Sequence, residues 1–164
     1  MTTPMCAQPR SEDSKAFKKI TFEYGNYRIR YAWVSQRGYY PEDLNKANQD
    51  AHIELERFAE SEGVRDCAFF CVFDGHGTTG DACAHFARDE IPLALARELG
   101  KLHRESRAND VGVAYRISFV DVNERLHAHK ACDDTMSGTT ASKNVWRAMH
   151  CLSRIPAKSC SRAH

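Results

Sequence analysis

The sequence predicts an α+β domain in which long helices pack on a mostly antiparallel sheet. Three observations lead there. Segments rich in β-branched and aromatic residues fill the first half of the chain, and segments with helical spacing follow them. The length of 164 residues, with 42% apolar and 27% charged, suits a single globular core.

Residues 1–19 are polar, contain Pro4 and Pro9, and read as a flexible leader. Residues 20–34, "ITFEYGNYRIRYAWV", alternate partly and break at Gly25 and Asn26, which predicts two short strands around a turn. A polar loop with Gly38 and Pro41 follows, then "AHIELERF" as another strand. The stretch "AESEGVRD" turns the chain into residues 68–73, "AFFCVF", an apolar run of strand length.

After Gly80 the texture becomes helical, with Ala82, Phe86, Cys83 and Ala87 on one face and Asp81 as N-cap or first-turn acid. Pro92 is expected to interrupt this helix or begin another, and Gly100 to help end it. A second helix is predicted over residues 113–130, with Ile117, Phe119 and Val120 facing inward near its start and Leu126 near its end. Residues 133–141, "DDTMSGTTA", are turn-rich. Residues 142–164 then carry five Lys or Arg, no Asp or Glu, and a weak hydrophobic period, so they read as an atypical basic tail outside the fold. The resulting division is a leader over 1–19, a domain over 20–141 and the tail over 142–164.

Lys and Arg number 23 against 22 for Asp and Glu, and this balance argues for neither nucleic acid nor a membrane surface as partner. No stretch approaches the roughly 18 to 20 apolar residues of a membrane span. The N-terminus lacks an apolar h-region, and Thr2 stands where myristoylation needs glycine, so a cytoplasmic or nuclear location is expected. The seven cysteines, Cys6, Cys67, Cys71, Cys83, Cys132, Cys151 and Cys160, are odd in number and irregularly spaced, which favours free, buried thiols over a disulfide framework. Cys67, Cys71, His76, Cys83 and His85 would be zinc candidates. On a strand, however, Cys67 and Cys71 stand roughly 13 Å apart, too far to share one tetrahedral ion.

The apolar run ends in "FDGHGTTG", where Gly75, Gly77 and Gly80 fit the G-x-G-x-x-G template. A dinucleotide loop needs a second strand and an acid about 20 residues later, and "LALARELGKL" offers helix formers there. A phosphate-binding P-loop needs Lys and Ser or Thr after the last glycine, where Asp81 and Ala82 stand. A metal site explains the same residues better. A carboxylate at the end of a buried strand is held rigidly and can lend oxygens to hard cations, and Gly75 lets the backbone approach closely enough for its carbonyl to act as ligand. The plainer alternative is that Asp74 caps a turn and His76 is a surface polar group.

"CVFDGHG" resembles the signature of the metal-dependent PPM/PP2C serine/threonine protein phosphatases, with Thr78 in place of the usual fifth-position glycine. "SQRGYYPEDLNKANQDAH" is similar to the family's upstream acidic motif, and "DDTMSGTTA" to the segment before a core strand, spaced from "DGHG" by two helices. The resemblance spans roughly residues 31–141. It implies a PP2C-like antiparallel β-sandwich flanked by helices, here incomplete, and hydrolysis of phosphoserine or phosphothreonine by metal-activated water. It implies two Mn²⁺ or Mg²⁺ ions, a phosphoprotein substrate, and a monomer.

By the same resemblance Asp74 corresponds to the carboxylate bridging the two ions, Gly75 to a ligand through its carbonyl, and Asp50 to an acid contacting the metals, usually through water. His76 corresponds to the proposed general acid. Gln49 falls where many members carry glutamate. The family's phosphate-binding arginine has no counterpart at Asn45 and Lys46, which leaves Lys46 or Arg37 to take that contact. The later family aspartates are not recognisable, so the chain is expected to be a truncated form. The alternative is a catalytically inactive fragment that binds phosphoproteins or another partner, or has no function.

Overall fold

The computed structural model describes residues 18–21, 28–147 and 150–151; most of the leader, the turn at Gly25 and Asn26, and the tail beyond Cys151 lie outside the described residues. Strands β1 (Lys18–Thr21) and β2 (Arg28–Tyr31) pair antiparallel, with Ile20 opposite Ile29. The first strand thus begins inside the segment assigned to the leader. A second sheet contains β3 (Asp50–Leu55), β4 (Cys67–His76), β5 (Gly138–Arg147) and β6 (His150–Cys151), in that spatial order and antiparallel throughout. Helices α1 (Gly80–Arg104) and α2 (Val111–His127) lie between β4 and β5 in the chain. The α+β class and the mostly antiparallel sheet are those the sequence predicts.

Period-two alternation sorts the residues of β4 onto two faces. Cys67, Phe69, Cys71 and Phe73 are buried in a core shared with Leu95, Leu99, Tyr115 and Val122 of the helices. Phe69 and Phe73 are fully buried, each contributing about 1.5–3 kcal/mol relative to exposure. The other face of β4 carries Ala68, Phe70, Val72, Asp74 and His76. There Ala68 packs with Ile29, Tyr31 and Phe70, and the Tyr31 and Phe70 rings meet edge to face at 4.9 Å. Val72, further along, is 56% exposed.

Both helices depart from expectation in ways packing explains. Pro92 neither ends α1 nor starts a new helix. It sits buried inside a single 25-residue helix, leaving the carbonyl of Arg88 without its helical donor. Gly100 does not end it either, because α1 runs on to Arg104; a Cβ at Gly100 would lie 2.7 Å from Glu62 Cβ, so glycine there admits the short 3-10 turn Glu60–Glu62. In α2 the buried stripe is Val111, Ala114, Tyr115, Ser118, Val122 and Leu126. Ile117 and Val120, expected inside, are 44% and 53% exposed. Phe119 is half-buried against the core, and Leu126 is buried as expected. The buried stripe includes the small residues Ala114 and Ser118, which hydrophobicity alone does not single out.

The largest correction concerns the tail. Ser142–Arg147 was expected to fall outside the fold, yet β5 continues through it in unbroken register with β4, from Gly138 opposite His76 to Arg147 opposite Cys67. Ala141, Lys143 and Val145 alternate into the core. Basic residues mask the pattern, because one of the inward positions is a lysine. Its ammonium sits over the Phe119 ring at 3.9 Å and the Tyr115 ring at 4.4 Å, and burial lowers its affinity for a proton.

Candidate active site

The register of β3 on β4 places Asp50 directly opposite Asp74. The Gly75 N–H donates to the Gln49 carbonyl at 3.1 Å, so that pair is hydrogen-bonded and the next, Asp50 with Asp74, is of the alternate kind. Side chains in such pairs stand closest, with Cβ atoms about 4.5–5.5 Å apart. Both carboxylates are exposed and lie on the face of the sheet that the helices leave free. Thr140 of β5 stands beyond Asp74, and His76 is paired with Gly138. A Cβ at Gly138 would lie 3.1 Å from both Cε1 and Nε2 of His76, so the imidazole rests against that glycine.

The loop after Asp74 is held by close backbone contacts. A Cβ at Gly75 would lie 2.2 Å from the Gly80 carbonyl oxygen and 2.5 Å from that of Gln49, so only glycine lets the end of β4 meet the start of α1. Gly77 has φ +85° and its hypothetical Cβ would lie 2.3 Å from the Met136 oxygen. These contacts account for the glycines that fit a nucleotide template. The space beside Gly75 is filled by Gly80 itself.

Gln49, at the position where many family members carry glutamate, and two side chains that sequence reasoning did not name, Thr79 and Ser137, complete the frame. Gln49 Nε2 donates to the Gly77 carbonyl at 2.6 Å. The Thr79 N–H donates to Ser137 Oγ at 3.1 Å, and the Asp133 N–H donates to Thr79 Oγ1 at 2.9 Å. Thr79 is the N-cap residue of α1, but its hydroxyl is turned to Asp133 and makes no cap hydrogen bond. The signal available in sequence was the polar turn "DDTMSG", whose donors and acceptors need partners once the segment folds against a neighbour.

The structure therefore brings Asp50, Asp74, Gly75 and His76 together on adjacent strands. Arg37 and Lys46 occupy the preceding loop. Arg37 Nη1 donates to the carbonyls of Leu44 and Lys46, and Lys46 Nζ lies 3.9 Å from the centre of the Tyr40 ring. Both cations are engaged in shaping that loop.

Two like charges opposed across a ladder destabilise it unless a cation lies between them, and hard divalent cations prefer oxygen donors of this kind. Asp50, Asp74 and the Gly75 carbonyl thus fit Mn²⁺ or Mg²⁺ in donor chemistry. They fall short of six donors. Among the described residues no group of three or more His, Cys, Asp or Glu is arranged to hold a metal. The buried thiols Cys67, Cys71, Cys83 and Cys132 take part in no disulfide among the described residues.

The family model for protein phosphatase 2C matches residues 42–152, which takes in the acid pair, the glycine loop and β5. The chain belongs to the protein phosphatase 2C family. It is 36% identical over 132 residues to "Probable protein phosphatase 2C 35" of Arabidopsis thaliana, covering 80% of this chain and 35% of that protein. It is 33% identical over 125 residues to "Probable protein phosphatase 2C 14" of Oryza sativa subsp. japonica, covering 57% of this chain and 24% of that one. "Probable protein phosphatase 2C 73" of the same rice matches at 30% over 132 residues, 65% of this chain and 31% of its own length. The phosphatase 2C chain thus spans about a third or less of these relatives. No described helix is long and apolar enough to cross a membrane.

Proposed function

We propose that this chain carries one half of the active site of a metal-dependent serine/threonine protein phosphatase. The observation that carries this is the Asp50 and Asp74 pair, opposed across β3 and β4 beside His76, in a chain of the phosphatase 2C family. Asp50, Asp74 and the Gly75 carbonyl would hold Mn²⁺ or Mg²⁺. When bound, two such cations supply Lewis acidity toward the phosphoryl group and lower the pKa of an attacking water.

The chain's own residues set the geometry. The β3 and β4 ladder fixes the two carboxylates side by side, and the Gly75 and Gly80 contact keeps the strand end from shifting. His76 stands exposed at the last position of β4, where its imidazole can give a proton to the departing seryl or threonyl oxygen. Arg37 and Lys46 contribute positive charge near the phosphoprotein's phosphate. Lys46 offers a point charge in place of a bidentate fork. The β1 and β2 hairpin, which meets Phe70 on the site face, would begin the second layer of a β-sandwich.

A second reading, a phosphoprotein-binding module without turnover, is favoured by the missing third carboxylate among the described residues. A Mn²⁺-dependent assay on a phosphoserine or phosphothreonine peptide separates the two. Turnover that Asp74→Asn abolishes supports the phosphatase, and peptide binding without turnover at any Mn²⁺ concentration supports the module.

A further inference from the structure

Away from the acid pair, one cluster of nucleophilic side chains has no part in the proposed chemistry. Cys83, in the first turn of α1, and Cys132, after α2, are buried together with Leu126 under Ala82 and Phe86. The two thiols share one small buried cluster, and the Thr79 link to Asp133 holds their two segments side by side. Cys132 Sγ also lies 3.7 Å from Nδ1 of His129, whose ring is exposed and packs on Phe86 at 4.7 Å. Cys83 is fully enclosed, whereas Cys132 keeps 7% exposure.

We propose that Cys83 and Cys132 form a reversible disulfide on exposure to hydrogen peroxide, covalently joining the start of α1 to the segment that braces the Asp74 loop. Cys132 is the thiol an oxidant reaches first. Its S–H proton passes to His129, the thiolate sulfur attacks one oxygen of hydrogen peroxide, the O–O bond breaks, and the departing hydroxide takes the proton back from His129, leaving a sulfenic acid and one water. Cys83 then attacks that sulfur. An S–S bond forms, the S–O bond breaks, and the departing hydroxyl takes the Cys83 proton to leave as a second water, so two thiols and one hydrogen peroxide become one disulfide and two waters.

The division of labour follows from burial. Enclosure, reinforced by Cys132, raises the Cys83 pKa and keeps that thiol protonated near neutral pH, so it is not the first target and attacks only as it gives its proton to the departing hydroxyl. Cys67 and Cys71 lie on β4 instead, and burial holds the Cys71 thiol up at about 12. The new bond would flank an existing link, because Thr79 lies one helical turn before Cys83 and receives the Asp133 N–H.

The test is peptide mapping of the purified chain after dilute hydrogen peroxide, with free thiols blocked by iodoacetamide. Cys83 and Cys132 should lose alkylation together and appear as one linked species about 2 Da lighter than its two reduced peptides. Fragment spectra must place the bond at Cys83, since Cys67 and Cys71 share its tryptic peptide. Dithiothreitol should restore both thiols. In Cys83→Ser, dimedone should label Cys132, while in Cys132→Ser it should leave Cys83 unlabelled. Cys132 joined instead to Cys71 or Cys151, or both thiols still alkylated after other cysteines oxidise, overturns the proposal. The linked peptide from the unsubstituted chain decides the matter even if either variant fails to fold.

Discussion

At Gly75 a single missing methyl group decides whether the acid pair can exist. A Cβ there would meet two backbone oxygens, of Gly80 and Gln49, at 2.2 and 2.5 Å, and neither can move without shifting a strand or a helix. Gly75→Ala should therefore cost on the order of 3 kcal/mol or more in urea unfolding, well above an exposed substitution. Lys143 is the opposite case, a side chain whose charge is a burden where it sits. Its ammonium is inside the core over two rings, with no carboxylate paired to it among the described residues, and burial lowers its pKa from the ordinary 10.5. A base whose folded pKa falls below the unfolded value destabilises the fold fully below the folded pKa, and the cost fades as pH climbs toward 10.5. Lys143→Met should thus raise stability at pH 7 by about 1 kcal/mol, the burial cost outweighing the cation–π attraction. The gain should shrink in denaturation curves taken at successively higher pH.

Among the elements, β5 carries the site as much as β4 does. It supplies Gly138 beneath His76 and Thr140 beside Asp74, and its second half closes the core with Val145. A chain ending at Ala141 would leave β4 unpaired on that side from Cys67 to Val72 and open the core to water. We expect such a truncation to lose its cooperative urea transition by circular dichroism, whereas a chain ending after Cys151 should keep it. α1 and α2 are joined outside the core as well, through Arg125 of α2 to Glu90 of α1 at 2.5 Å, with Asp121 of α2 itself 3.2 Å from the same guanidinium. That link is partly exposed and adds little beside the packed stripe.

For the molecule as a whole, the proposed function predicts that the acid pair couples stability to cations. With no ion present, Asp50 and Asp74 repel across the ladder, so Asp74→Asn should stabilise the metal-free chain by about 0.5 kcal/mol. Mn²⁺ should raise the melting temperature of the unsubstituted chain, and the same substitution should remove most of that rise. An equal rise in Asp74→Asn would place the ion elsewhere. The layered arrangement explains why the pair is accessible at all. Both helices cover one face of the sheet and leave the other to Asp50, Asp74, His76 and Val72.

The sequence alone determined the strands that alternate cleanly, the presence of two helices, and the candidates Asp74 and His76, because an apolar run ending in an acid and glycines has few structural explanations. It could not place β5, since a buried lysine and basic neighbours hide a period-two pattern that only pairing with β4 exposes. It misjudged Ile117 and Val120, because the stripe of α2 that turns inward includes the small residues Ala114 and Ser118, which carry little hydrophobic signal. Only the tertiary structure decided that Asp50 faces Asp74, that Gln49 and Thr79 hold the loop, and that Cys83 meets Cys132. Each joins residues far apart in the chain, and register and helix packing, not local propensity, set those distances.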